Sequence, residues 1–283
     1  MLIIALCFAL PGYSFAFWEN DLALEDESIY NYLQVKDDEH QTLLSTNVLF
    51  GVQSVQIKDS ELTGMYYDYA LAAPCMAGMD AEIDSKIADI AYDYFGLPDT
   101  VEVAVADGRA YLTASDEKFD VIMVDAYQDI TIPFQLSSRE FFTEVSKHLK
   151  PEGVMVVNLN MTSRENGSIN EYLCDTMASV FPHVYLANVS GNTNTEVFCT
   201  NSDTLPERFA ASRAALENPR YAAMMDRVAG LLTEYEGGEH ILTDDKAPVE
   251  VLGMRVLDEL IADELDYYRE YFRSGNIAGL LGA

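Results

Sequence analysis

The sequence predicts an α/β protein, an open and mostly parallel doubly wound sheet preceded by a small antiparallel β-unit. Three observations carry this. From residue 81 onward, strand-like apolar runs alternate with amphipathic helical stretches, the order of a parallel sheet with crossover helices. Between Ser28 and Lys58, three runs rich in β-branched and aromatic residues are separated only by short polar breaks. The chain has 283 residues, 49% of them hydrophobic, which is enough for one large domain with a small appendage and excludes general disorder.

The elements follow in order. Residues 1–18, MLIIALCFALPGYSFAFW, form a short apolar block broken at Pro11-Gly12. It reads in three ways: a marginal membrane-spanning segment, a signal peptide ending near Ser14-Phe15-Ala16, or the tail of a transmembrane helix. A cytoplasmic protein, membrane-attached through this segment, is the expectation. SIYNYLQV, QTLLS and NVLFGVQSVQI make the antiparallel unit, a β-domain over 27–70. The Tyr-rich GMYYDYALAAP predicts a helix up to Pro74.

A doubly wound domain over 71–255 follows. Asp84 or Ser85 can cap a helix, SKIADIAYDYF, stopped by Gly96 and Pro98. VEVAVAD is a strand, DGRAYLTAS a short helix and FDVIMVD a buried strand. SSREFFTEVSKHL is an amphipathic helix closed by a KPEG turn, and GVMVVNLN is another buried strand. NEYLCDTMASVF is helical, and HVYLANVS with TEVFCTN predicts a hairpin. From Leu205 the chain reads as helical, with a tail at 256–283; the helix around Met224-Met225 reads as core or as a homodimer surface.

Charge narrows the partners. Lys and Arg number 17 against 47 Asp and Glu, a formal net charge of −30. Such a surface repels phosphate backbones, so nucleic acid is not expected, and it attracts cationic small molecules. Four widely spaced cysteines with no CxxC suggest neither a disulfide framework nor a zinc site. The four histidines read as isolated, in surface or capping roles, and Thr243-Asp244-Asp245 as a turn or a cation site.

In an open parallel sheet, ligands gather at the carboxyl ends of the strands. Glu82 with Asp84, then Asp107, then Asp125 fall at such ends. A carboxylate there can hold both hydroxyls of a ribose, accept from an amine or act as a general base. Each alone also fits a helix cap or turn.

At this point the residues resemble a family. Glu82-Ile83-Asp84, Asp107-Gly108-Arg109-Ala110-Tyr111-Leu112 and Phe119 through Tyr127 look like spermidine synthase. So do Ile132-Pro133-Phe134, Arg139-Glu140-Phe141-Phe142, Pro151-Glu152-Gly153-Val154 and the stretch Leu242 to Glu250. The likeness covers roughly residues 27–255 and is nearest to bacterial spermidine synthase-like proteins whose synthase domain follows a membrane-spanning region. It implies a methyltransferase-like Rossmann sheet, and transfer of an aminopropyl group from decarboxylated S-adenosylmethionine to a diamine such as putrescine, without a metal. It also implies roles. Glu82, with Asp84 beside it, would hold the ribose, Asp107 and Gly108 the adenine, and Asp125 would bind and deprotonate the attacking amine. Gln53 would sit near the donor, and Tyr66 or Tyr67, with Tyr127 and Asp129, near the diamine.

The sequence departs from that pattern twice. Gln128 stands where the family places a second substrate aspartate, with Asp129 one residue late. No G-x-G occurs in the chain, and only the 12 residues ALAAPCMAGMDA separate Tyr69 from Glu82. A β-α-β unit needs roughly 30, so the usual first strand, glycine turn and helix cannot be present, and weak nucleoside binding is expected. Two other functions fit the same residues: an inactive relic or binding protein, and an S-adenosylmethionine-dependent methyltransferase of the same fold. The first predicts no bound nucleoside; the second predicts methyl transfer in place of aminopropyl transfer.

Overall fold

The computed structural model describes residues 22–27, 32–46, 52–79, 106–125, 132–160, 167–191 and 193–274. Segment 1–18, the helix SKIADIAYDYF and residues 101–105 of the strand VEVAVAD lie outside the described residues. Among those described, no helix is long and apolar enough to cross a membrane. The chain divides into two compact units, Met1–Gly64 with Asp84–Ala104, and Met65–Ile83 with Val105–Ala283.

The first unit contains an antiparallel meander of β1 (Leu22–Glu27), β2 (Tyr32–Asp37), β3 (Gln41–Thr46) and β4 (Val52–Ile57). The β2–β3 turn is fixed locally: Asp38 Oδ1 accepts from the N–H groups of His40 and Gln41 at 2.7 and 2.9 Å. This is the Asx-type bonding that makes aspartate a turn residue. The acidic LALEDE, not predicted as a strand, adds β1 at one edge. A charged edge strand discourages further strand pairing, which reconciles its composition with its place.

The second unit opens with two short helices, α1 (Tyr67–Ala70) and α2 (Ala72–Met76). The expected stop at Pro74 does not occur. Pro74 stands in the first turn of α2, where its missing N–H has no intrahelical acceptor to lose. Then follow α3 (Gly108–Ala114), β5 (Phe119–Val124), a 3₁₀ turn (Phe134–Leu136), α4 (Arg139–His148) and β6 (Leu149–Leu159). After α5 (Ile169–Ala178) come β7 (His183–Asn188), β8 (Thr195–Thr200), α6 (Leu205–Ala215), α7 (Pro219–Leu231), β9 (Thr233–Glu234) and α8 (Val249–Ser274). The region after Leu205 is therefore not wholly helical: β9 pairs with β7.

The sheet order is β5-β6-β8-β7-β9. Only β5 and β6 run parallel; β6–β8, β8–β7 and β7–β9 are antiparallel. The described sheet is thus mixed rather than mostly parallel. The cause is the predicted β7–β8 hairpin, which folds back and inserts β8 next to β6. β5 is also less buried than its apolar sequence suggests, with Met123 49% exposed.

Alternation along β6 and β8 sorts their side chains. Met155, Val157 and Leu159, with Val197 and Cys199, join Phe142 and Val145 of α4 and Met177 of α5 in one apolar core. Each buried apolar side chain of this kind contributes about 1.5–3 kcal/mol. Asn158 on β6 and Glu196 on β8 fall on the opposite face, by the period of two. Helices α1 and α2 pack on β6. Gly153, at the start of the straight part of β6, is required by closeness: a Cβ there would lie 2.9 Å from the Phe119 carbonyl oxygen.

Candidate amine site at the end of the sheet

Asp125 follows the last residue of β5. It is exposed as a residue, yet the protein around its carboxyl raises its pKa above the usual carboxylate range. A hydrogen bond from Asn158 works in the opposite direction and holds the carboxylate. Asn158 is itself 2% exposed, and its Oδ1 accepts from Asn194 Nδ2 at 2.8 Å. Directly across the β6–β8 ladder from Asn158 stands Glu196. Residues directly opposite in an antiparallel pair share a face, with Cβ atoms about 5 Å apart. Asp125, Asn158, Asn194 and Glu196 therefore form one polar cluster at the end of the sheet.

Two tyrosines join it. Tyr66 and Tyr67 are half-buried at the start of α1, with ring centroids 4.1 Å apart. Burial raises both phenol pKa values, and the charge of Asp125 raises them further. Glu196 adds to the effect at Tyr66. Both tyrosines therefore lie within electrostatic reach of Asp125; the sequence expectation was that one or the other contacts the diamine. Asn158, Asn194 and Glu196 were missed. A signal for them was present, since Asn158 and Glu196 are the polar interruptions of the apolar runs VMVVNL and TEVFCT.

Asp107 caps α3: its Oδ1 accepts from the Ala110 N–H at 2.8 Å. One carboxylate oxygen is committed to the helix, so any adenine contact falls to the other. Gly108 follows in the first turn, and a Cβ there would meet nothing within 4 Å. The neighbouring Arg109 is clamped to Asp244 through two hydrogen bonds of 2.8 and 2.7 Å. Ser138 Oγ also donates to Asp244, which is held down to a pKa of about 2 chiefly by Arg109. Thr243-Asp244-Asp245 is accordingly a turn, closed by the Thr243–Lys246 bridge, and Asp244 is used inside the fold.

Three of the histidines are not isolated. Both ring nitrogens of His148 lie against backbone carbonyls, at 2.8 Å from Glu144 and 2.9 Å from Ser115. His183 bridges Asp203 and Glu234, at 2.7 and 3.2 Å. His240 stands beside Glu171 and Asp175, a grouping with one ligand atom from each within 4.8 Å. The buried Asp175 carboxylate is already engaged there. It accepts from Tyr235 Oη at 2.6 Å, the Gly238 N–H at 2.8 Å and the His240 N–H at 2.9 Å. Its evident role is to fasten the loop before Leu242.

Of the remaining candidates, Gln53 is an exposed β4 residue of the first unit. Glu82, Asp84, Tyr127 and Asp129 lie outside the described residues. Cys75, Cys174 and Cys199 are free and buried, and burial pushes the Cys174 thiol up to about 12.

Comparison with known proteins gives this site a context. A profile of the spermine/spermidine synthase domain matches residues 81–200. A probable polyamine aminopropyl transferase of Bifidobacterium longum is 47% identical over 328 aligned positions, covering 100% of this chain and 74% of that protein. A polyamine aminopropyltransferase of Vibrio vulnificus is 27% identical, over 60% of each chain. The crystal structure of a probable spermidine synthase from Corynebacterium glutamicum is similar in fold, with a TM-score of 0.53 at 17% identity. That match covers 77% of this chain and 98% of the other.

Proposed function

Because the chain belongs to the spermine/spermidine synthase family, we propose that it is an aminopropyltransferase of polyamine biosynthesis. Its donor is decarboxylated S-adenosylmethionine and its acceptor a diamine such as putrescine. The acceptor nitrogen attacks the aminopropyl carbon next to the sulfonium sulfur. A C–N bond forms, the C–S bond breaks, and methylthioadenosine leaves with the electron pair. The proton lost by the nitrogen passes to Asp125.

The observation that carries this reading is the polar end of the sheet, where Asp125 is steadied by Asn158 and flanked by Tyr66 and Tyr67. An ammonium has only donors to offer, and carboxylate and phenol oxygens accept them. A general base must be within reach of the proton it takes, and its pKa works best when raised toward the operating pH. Asp125 shows that direction of shift.

The nucleoside half is the weaker half. The alignment with the Bifidobacterium protein runs 45 positions beyond the 283 residues of this chain while covering all of it. A difference of that size is large enough for the strand–glycine turn–helix segment that the 12 residues between Tyr69 and Glu82 have no room for. Glu82, Asp84, Asp107 and Gly108 remain the nucleoside candidates of this reading, Gln53 its donor-side candidate, and Tyr127 and Asp129 its acceptor-side candidates.

Product analysis tests it. The chain is incubated with putrescine and either decarboxylated S-adenosylmethionine or S-adenosylmethionine, each at millimolar concentration. Mass spectrometry is expected to find spermidine with the first donor and no methylated amine with the second. Methylated putrescine would reassign the chain to methyl transfer.

A further inference from the structure

Glu196 is the one buried carboxylate among the described residues whose two oxygens, Oε1 and Oε2, both have no hydrogen-bond partner. It is 0% exposed. Among the described residues no cation offsets it: what acts on it electrically is Asp125, a second carboxyl. An unsatisfied polar side chain in the interior costs stability and calls for an explanation. Asn160, which follows the end of β6 two residues after Asn158, also presents a buried Oδ1 without a partner. The unmet groups at this end of the sheet are therefore acceptors, and they are unmet on the face that carries Asp125, Asn158 and Tyr66.

We propose that Glu196 is the recognition group for the second ammonium of the diamine acceptor, taking the hydrogen bonds of the end that does not react. The proposal rests on the aminopropyl-transfer reading and adds to it the basis for choosing a diamine over a monoamine. An alkylammonium brings three donors and a full positive charge, which is what two empty carboxylate oxygens and an amide oxygen lack. The difference in exposure sets the direction of entry. Asp125 is exposed and takes the reacting amine, where a donor can reach it; Glu196 is sealed and takes the tail.

Charge agrees with this assignment. Two neighbouring carboxyls without a cation do not both ionise readily, and burial together with Asp125 raises the Glu196 pKa well above its usual value. A dication supplies one charge to each. A monoamine satisfies Asp125 and leaves the Glu196 oxygens as they are in the empty protein. Glu196 is thus a specificity device, in which the polar group left unmet by the wrong ligand provides the discrimination.

Calorimetry on the full chain, without any donor, tests this with putrescine and n-butylamine as probes. The expected result is tighter binding of putrescine by about 10- to 100-fold, the scale of charge-assisted hydrogen bonds. In Glu196→Gln, which keeps the shape, that preference falls to within about 3-fold, butylamine affinity stays put, and the unfolding temperature holds or rises. Glu196→Met, of similar length and fully apolar, gives the same collapse should the amide pack badly. Retention of the preference in either folded variant, or its absence in the natural chain, overturns the proposal. A chain that prefers putrescine yet forms no spermidine contradicts the transfer reading and leaves the ammonium site standing. Spermidine formation with an unchanged putrescine KM in Glu196→Gln does the reverse.

Discussion

Arg109 and Asp244 are 135 positions apart in sequence and meet through a two-pronged ion pair, with both guanidinium terminal nitrogens on both carboxylate oxygens. Arg109 stands two residues after the α3 cap Asp107, and Asp244 also binds the α4 cap Ser138. The pair therefore ties the start of α3, where the nucleoside candidates lie, to the start of α4. Asp244→Asn is expected to lower stability by about 1 kcal/mol, since the pair is partly exposed and screened. The folded carboxyl titrates below its unfolded value, so its contribution is present above pH 4 and lost as the pH falls toward about 2. Urea unfolding of both proteins at pH 6 and pH 3 checks this: the gap should shrink at the lower pH.

His183 gives the opposite sign. Asp203 and then Glu234 raise its pKa above the usual histidine value, and Glu234 belongs to β9. Stability from this clasp is fully present below the unfolded pKa, about 6.5, and is lost as the pH rises through the raised folded value. His183→Gln should therefore cost most near pH 5.5 and little near pH 9. A thermal unfolding series across that range measures it; a gap that is constant with pH would remove the ionised form from the account.

Asp175 and Gly238 make a tighter test of the loop before Leu242. A Cβ on Gly238 would lie 2.5 Å from Asp175 Oδ2. Gly238→Ala must displace a buried carboxylate that already serves three donors of residues 235–240. A loss of about 1–3 kcal/mol is expected, of the order of an unmet buried polar group. Asp175→Ala should cost at least as much. An equilibrium denaturation curve unmoved by either substitution would contradict this reading of the loop.

Nucleoside affinity follows from the shortened segment ahead of Glu82. Two charge-assisted contacts, from Glu82 and Asp107, are worth about 3–6 kcal/mol before ordering costs. Methylthioadenosine should then bind no better than about millimolar. Calorimetry that finds micromolar affinity would show that another segment stands in for the glycine turn.

The sequence made much of this architecture readable, for identifiable reasons. The capped helix after Ser138, the β7–β8 hairpin and the apolar β6 announce themselves through period and punctuation. Asp125 was legible because it ends an apolar strand. The pairing of Asn158 with Glu196 was not, although each is a visible polar interruption, because it is a cross-strand register, and the insertion of β8 beside β6 is a long-range choice that local pattern does not encode. The same holds for Asp244, whose partner lies in a helix far back in the chain, and for β9, too short to carry a period of its own. Pro74 misled as a stop signal because the chain breaks at Leu71 first and restarts, placing proline where helices accept it.

The central claim is that Asp125 takes the proton of an attacking amine. Methylthioadenosine release from millimolar decarboxylated S-adenosylmethionine and putrescine, compared between the natural chain and Asp125→Asn, tests it most directly. The predicted result is release by the natural chain that declines as the pH falls through the raised Asp125 pKa, and a rate about 10²–10⁴-fold lower in the variant, the scale of one acid–base group. Near-equal release by the two proteins would contradict it.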